Sequence, residues 1–479
     1  MGEAKYKGNL FMKKGQSWAI ILYGLGISGG ANVIYQHAAY AVKQGIEVVF
    51  LTKDGQDQNT ASWHKSASLF DYKNLEDAYD EKYDVVIATE WKSAFDCYHI
   101  KADKYFYFVQ SIESRFFYNQ DCLLAYVANM TYEMDFNYIT EATWIKNYLN
   151  NKYHKEASLV LNGIDKDIFC VGVNKRKDSD VTRFLVEGSV SNWLKNVDKT
   201  IELCNKAGAE EIWLVTPDDI EDYPGVDKVF SKVPMSDMPS IYKSCDVLVK
   251  LSLVEGMFGP PLEMFHCGGT AITYDIEGSD EYLINEYNSI VVKKNDESSV
   301  VDAIKRLATD KELLNKLKKN AQRTANDWID WDKSSTEFYE IVSSSPKISE
   351  QAYKNIMEKG KAGANAYRQI EYYFGMDPYK NNVEETIRVM NENGLDLYLF
   401  GAGAMCKSSI MLFSKYDCEI KGILVSNLDS NTSYVMGHKV LEVKDVIKNK
   451  DNIIIYITSQ KYREEIYDML SQMNFKYVL

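Results

Sequence analysis

Three times along the chain an apolar run ends in a glycine-rich turn and passes at once into a helical pattern. Trp18 to Ile27 overlaps Gly26-Ile-Ser-Gly-Gly30, ahead of a helical stretch over 31–44 closed by Gly45. Cys245-Asp-Val-Leu-Val-Lys-Leu-Ser-Leu-Val254 runs into Glu255-Gly-Met-Phe-Gly259, and Leu395-Asp-Leu-Tyr-Leu-Phe400 into Gly401-Ala-Gly-Ala-Met-Cys406. Strand, glycine loop, helix and next strand make a right-handed crossover between parallel strands. The loop then lies at the carboxyl end of its strand, where open α/β sheets bind ligands. A chain of 479 residues is too long for one core, so two or three such domains are expected.

The pattern predicts strands at 18–27, 47–52, 85–89, 105–109 and 159–161, which make residues 1–165 one doubly wound domain. A break follows at Asn162-Gly-Ile-Asp165, and the charged stretch 174–180 reads as a linker. A second β/α series has strands at 183–187, 211–216, 228–230, 246–252, 270–274 and 289–292, with helices at 298–309 and 311–326. This domain is assigned 166–345, with Ser343-Ser-Ser-Pro346 as its boundary. Residues 346–390 read as a helical linker, and 391–479 as a small Rossmann-like domain with further strands at 422–426 and 452–458. Two similar domains on a short hinge make a cleft.

Hydrophobic residues are 46% and charged residues 26%, as in folded soluble proteins. No run of about 18 apolar residues suggests a transmembrane helix, and 18–27 is too broken by glycine for a signal peptide. Eight cysteines stand singly, with no C-x-x-C pair, so reduced core thiols and a cytosolic compartment are expected. A net charge of −14 disfavours nucleic acid as a partner. Lys5, Lys7, Lys13 and Lys14 leave room for peripheral contact with an anionic membrane.

Glu255 and Glu263 flank the second glycine turn. Gly256 and Gly259 allow close backbone approach, Pro260 and Pro261 suit a first helical turn, and the helix start is expected to offer N–H groups to a diphosphate. Glu263, placed inside that first turn, can accept two ribose hydroxyls, while Glu255 on the strand side can meet a sugar. Among aromatic segments, Tyr105-Phe-Tyr-Phe108 fits a buried strand and Phe116-Phe-Tyr118 a loop.

With the loop G-I-S-G-G-A-N (26–32), the hinge 162–165, G-S-V-S-N-W-L-K-N (188–196) and E-G-M-F-G-P-P-L-E-M-F-H-C-G-G-T (255–270), residues 17–345 resemble family 4 of the retaining glycosyltransferases. That family has the GT-B fold of two facing Rossmann-like domains. A-T-E-W-K-S-A (88–94), Y-F-V-Q-S-I-E (107–113) and I-T-E-A-T-W-I-K (139–146) look like a bacterial subgroup that includes rhamnosyltransferases of cell-surface polysaccharides. The resemblance implies metal-independent transfer from a nucleotide sugar to a glycan, lipid-linked or glycoprotein acceptor, with no cofactor. Glu263 would bind the ribose, Glu255 the transferred sugar, the amides of Gly256, Met257, Phe258 and Gly259 the sugar or diphosphate, and Lys195 the diphosphate. Gly29, Gly30, Gly188 and Ser189 complete the expected donor contacts; Trp91, Gln110 and Glu113 are the expected acceptor contacts, with Trp91 stacking on a sugar ring.

Ser189 stands where the family carries an arginine, and Arg183 or Lys199 could replace it. The family histidine after the fourth strand is absent too, since Thr89, Glu90 and Trp91 stand there; His37 reads as a packed residue. Three rival readings stay open. Asp165-Lys-Asp167 could hold a metal in a one-domain transferase, although its place at the hinge favours a turn. Gly401-Ala-Gly403 could bind a nicotinamide nucleotide, but Cys406 and Ser426-Asn427 break that fingerprint. A dead site in a sugar-binding protein is the third. Residues 391–479 could bind a nucleotide or mediate oligomerisation.

Overall fold

The computed structural model describes residues 16–53, 55–117, 122–171, 181–375, 378–414, 416, 418–429, 431–459 and 462–479. The four lysines of the chain start, Tyr118 and the charged stretch 174–180 lie outside these residues. Among the described residues the chain forms three sheets, parallel throughout except for the pair β16–β17.

The first sheet has the order β3-β2-β1-β4-β5-β6-β7, from β1 (Ser17–Ile21), β2 (Glu47–Thr52), β3 (Asp71–Asn74), β4 (Lys82–Ala88), β5 (Lys101–Val109), β6 (Asn137–Thr140) and β7 (Ala157–Leu159). Successive side chains enter opposite cores. Trp18, Ile20, Phe106 and Phe108 pack beneath the helix Gly29–Lys43, while Ala19, Ile21, Tyr105 and Tyr107 pack with Trp91 and Phe95 on the other face. This double burial explains the unbroken aromatic run of β5, since a covered parallel sheet has no polar face. Tyr105 and Tyr107 satisfy their hydroxyls internally, on Ile100 O at 2.7 Å and Glu113 Oε2 at 2.7 Å.

The second sheet, β10-β9-β8-β11-β12-β13, comprises β8 (Arg183–Glu187), β9 (Glu211–Thr216), β10 (Lys228–Ser231), β11 (Val247–Lys250), β12 (Thr270–Asp275) and β13 (Ile290–Lys293). The helix Trp331–Ser344 then leaves this domain, contrary to the boundary expected at 345. Phe338 and Val342 enter the first domain's core, and Ser335 meets His37 Nδ1 at 3.1 Å. Burial of each such side chain contributes about 1.5–3 kcal/mol. The expected linker is likewise packed: Ile356 and Ala364 of the helix Glu350–Gly375 belong to the first domain's other core.

The third sheet, β16-β17-β15-β14-β18-β19, is built from β14 (Asp396–Phe400), β15 (Ile420–Val425), β16 (Tyr434–Val435), β17 (His438–Glu442), β18 (Ile453–Ile457) and β19 (Tyr477–Val478). It docks on the second domain at Asp198, a residue of the helix Val197–Ala207 whose side chain is 7% exposed. Asp198 accepts from Lys407 Nζ at 2.9 Å, from Met436 N at 3.2 Å and from Tyr223 OH. No helix among the described residues is long and apolar enough to cross a membrane.

Candidate functional site

The second sheet changes direction between β8 and β11, the kind of switch point whose carboxyl end opens a crevice. The register Val249↔Val186 sets the next residues, Lys250 and Glu187, side by side at that end. Lys250 Nζ pairs with the Glu187 carboxylate and lies 3.9 Å from Glu255 Oε1. After β8 the chain returns through the turn Trp193–Lys195, held to the β11 tail by Leu253 N to Leu194 O at 2.8 Å and Asn196 Nδ2 to Leu251 O at 3.1 Å. Gly188, at φ +147°, makes room for this turn, because a Cβ there would lie 3.0 Å from Lys195 Cβ.

Lys195 Nζ consequently donates to both carboxylate oxygens of Glu255, at 2.9 Å each. Burial opposes ionisation of Glu255, whose side chain is 10% exposed, but Lys195 and Lys250 outweigh it and hold the carboxyl below its ordinary range. For Lys195, burial lowers the pKa and the Glu255 carboxylate more than restores it, so the net shift is upward. Both expected catalytic groups are charged and in contact.

Glu263 lies in the helix Gly259–His266, one residue past its first turn rather than inside it. Tyr242 OH donates to its Oε2 at 3.0 Å, and burial pushes its carboxyl up to about 7. The helix start offers fewer donors than expected. Pro260 and Pro261 carry no N–H, Gly259 N is taken by Met257 O at 3.1 Å, and Met257 N by Glu141 Oε1 at 3.0 Å. Phe258 is fully buried, which leaves the partly exposed Gly256 as the candidate amide for a ligand.

Glu141 comes from the first domain and is 5% exposed. Its other oxygen accepts from Asn162 Nδ2 at 2.9 Å, and burial raises its carboxyl to about 7. Trp144 Nε1 donates to Gly256 O at 2.9 Å, and Arg115 pairs with Glu277 at 2.6 Å. Gly256 is needed for this closeness: a Cβ would fall 1.9 Å from Gln110 O. Gln110 in turn lies against Gly30, at the start of the helix Gly29–Lys43, and its buried Oε1 has no partner. Gly30, Gln110 and Gly256 therefore line one seam between the domains.

Other expected contacts are placed elsewhere. Trp91 is 4% exposed and edge-packed against Phe95, Phe117 and Tyr367, so no ring face is open to a sugar. Glu113 is tied into the same wall, accepting from Trp91 N and Tyr107 OH at 2.7 Å each. Burial first, and then Glu90, push its carboxyl to about 8. The loop of Ser189 is filled by the chain's own Asp218, which accepts from Ser189 Oγ at 3.1 Å and Val190 N at 2.6 Å. Neither replacement for the missing arginine serves: Arg183 pairs with Glu211 at 2.8 Å, and Lys199 with Glu297 at 3.1 Å. His37 stacks on Phe338 and is held by burial near a pKa of about 3. Asp165 caps a turn through Ile168 N at 3.2 Å and pairs with Lys65 at 2.9 Å. No group of three or more metal-ligating side chains occurs among the described residues.

Sequence reasoning left Glu141, Glu187, Lys250, Tyr242 and Asp218 without roles. Only Lys250 carried a visible signal, as the one charge in the apolar run 247–254.

Residues 224–324 match the family model of Glycosyl transferases group 1. A segment of 87 residues is 36% identical to UDP-Gal:alpha-D-GlcNAc-diphosphoundecaprenol alpha-1,3-galactosyltransferase of Escherichia coli, covering 18% of this chain and 22% of that protein. The chain thus spans about a fifth of that relative's length. Among solved structures it is similar to sucrose-phosphate synthase from Thermosynechococcus elongatus, with 14% identity, a TM-score of 0.58, and coverage of 68% of this chain and 98% of that one. It is also similar to HepE of Anabaena in complex with UDP-glucose, with 13% identity, a TM-score of 0.55, and coverage of 69% and 100%. WaaG, a glycosyltransferase involved in lipopolysaccharide biosynthesis, gives 14% identity, a TM-score of 0.54, and coverage of 68% and 100%. The first two domains therefore have the GT-B fold.

Proposed function

We propose that this chain is a retaining, metal-independent glycosyltransferase that moves a sugar from a nucleotide-sugar donor to a glycan, lipid-linked or glycoprotein acceptor in surface glycan synthesis. The observation that carries this reading is the Lys195–Glu255 pair at the β8/β11 switch point, with Glu263 on the following helix and Gln110 and Gly30 across the seam. Departure of a nucleoside diphosphate leaves negative charge, which a lysine in a dry site stabilises far better than one in water. Lys195 takes that role, Glu255 accepts from sugar hydroxyls, and Glu263 from the ribose. The departing phosphate can take the acceptor's proton, so no protein nucleophile is required.

The group 1 match over 224–324 supports the reading, as does the Escherichia coli relative, whose name gives UDP-Gal as donor and a diphosphoundecaprenol-linked sugar as acceptor. A lipid-linked acceptor of this kind would bring the protein to the cytoplasmic face of a membrane. A second reading, sugar binding without transfer, draws on the Met257 amide and the Ser189 loop being occupied by Glu141 and Asp218. A thermal-shift screen of nucleotide sugars, with and without chelator, tests donor binding. The expected result is one preferred donor whose stabilisation survives the chelator; no stabilisation by any donor contradicts the reading.

A further inference from the structure

Lys250 is 2% exposed at the end of a buried strand. Replacing a buried ion pair by apolar residues of similar volume is often neutral or stabilising, so packing gives no reason for a lysine here. Its Nζ donates to Glu187 O at 3.2 Å, pairs with the Glu187 carboxylate, and reaches Glu255 Oε1 at 3.9 Å. Glu187, Lys250, Glu255 and Lys195 thus form one row of alternating charge. Its middle members are the buried ones, Lys250 at 2% and Glu255 at 10% exposed, while Glu187 at one end is 21% and Lys195 at the other 29% exposed.

On the reading proposed above, a donor diphosphate must engage Lys195, yet both Glu255 oxygens already hold that ammonium. An ammonium has three N–H donors and two are engaged here, so beyond the first, each hydrogen bond Lys195 gives to phosphate is taken from Glu255. The groups facing Glu255 are then Lys250 and Ser252 from β11 and its tail, Glu187 behind Lys250, and Glu141 from the first domain. Without a second cation, a nearly buried carboxylate would face two others, and it would protonate or turn away. We propose that Lys250 is a positioning residue that keeps Glu255 ionised and aimed at the sugar while Lys195 is handed over to the donor diphosphate. It supplies, from beneath the site, the second positive charge that Ser189 cannot.

The test uses full-length protein labelled with carbon-13 at glutamate carboxyls, the Glu255 resonance being assigned with Glu255→Gln. Lys195→Met mimics withdrawal of Lys195 without a donor. In that variant Glu255 is expected to remain ionised at neutral pH, and adding Lys250→Met is expected to raise its titration by about 1–3 pH units. Lys250→Arg should restore the low value, and Glu187→Gln alone should not raise it. If Lys250→Met fails to fold, Lys250→Met/Glu187→Gln, which removes both charges of the pair, gives the same readout. With the preferred donor, the acidic limb of kcat/KM should move up in parallel. A Glu255 titration indifferent to Lys250 in folded protein overturns the proposal. A shifted titration in a chain that consumes no nucleotide sugar leaves Lys250's role standing and rejects the transferase reading instead.

Discussion

Glu141 Oε1 accepts the Met257 amide at 3.0 Å across the seam between the first two domains. One buried carboxylate therefore both ties the domains together and occupies a donor of the glycine turn. Glu141→Ala leaves that amide and Asn162 Nδ2 unpaired, which should cost about 1–3 kcal/mol. Urea unfolding is expected to show a lower midpoint, with Glu141→Gln milder because its carbonyl can still accept from Met257.

Gly256→Ala should be more damaging to function than its size suggests. The added methyl would lie 1.9 Å from Gln110 O, so the turn or the whole seam must shift. A destabilisation of about 1–3 kcal/mol is expected. The same variant should lose donor binding in a thermal-shift assay while its far-ultraviolet circular dichroism stays native.

Glu263→Ala and Lys195→Ala should separate binding from chemistry. Tyr242 donates to one oxygen of Glu263, and the other is proposed to accept from a ribose; losing such charge-assisted bonds is worth roughly 1.5–3 kcal/mol and should appear mainly in KM. Lys195→Ala should appear mainly in kcat. Steady-state kinetics with equal effects on KM and none on kcat would remove Lys195 from the chemistry.

Glu113 gives a pH signature. Its folded pKa of about 8 lies above the ordinary 4.5, so the folded chain keeps a proton that the unfolded chain releases. The group's contribution is therefore full below about pH 4.5 and is lost as pH rises towards 8, by up to ~1.4 kcal/mol per pH unit. Urea midpoints at pH 5 to 8 should show Glu113→Gln gaining on the parent protein as pH rises, and levelling off above about pH 8.

Asp198→Asn should loosen the third domain. The pair with Lys407 is largely buried, and removing one charge of a buried pair costs about 3–5 kcal/mol. Limited proteolysis is expected to release a fragment from about residue 390 onward faster than from the parent chain.

Much of the fold could be read from the chain because parallel strands covered on both faces are unbroken apolar runs bounded by glycine. Residues 47–52, 183–187 and 211–216 were placed to the residue. The edge strand Asp71–Asn74 was missed, since its sequence Asp-Tyr-Lys-Asn has no apolar run. The helix Trp331–Ser344 was assigned to the wrong domain because Phe338 and Val342 show an apolar stripe but not which core receives it. At the site, glycine and proline chemistry and a family resemblance pointed to Glu255, Glu263 and Lys195, of which the fold brings Lys195 and Glu255 into contact. Glu141, Tyr242 and Asp218 were not, because each works through a partner tens to more than a hundred residues away in sequence. Trp91 illustrates the opposite error: an aromatic residue suits a sugar face and a core equally, and only its packing decides.

The account stands most directly on nucleoside diphosphate release from a panel of nucleotide sugars, measured with glycan and lipid-linked acceptors in the presence of chelator, for the parent chain and Lys195→Ala. It predicts that one donor is consumed and that Lys195→Ala, with its fold intact, slows release by roughly 10²–10³-fold. Consumption of no donor, or an unchanged rate in Lys195→Ala, would contradict it.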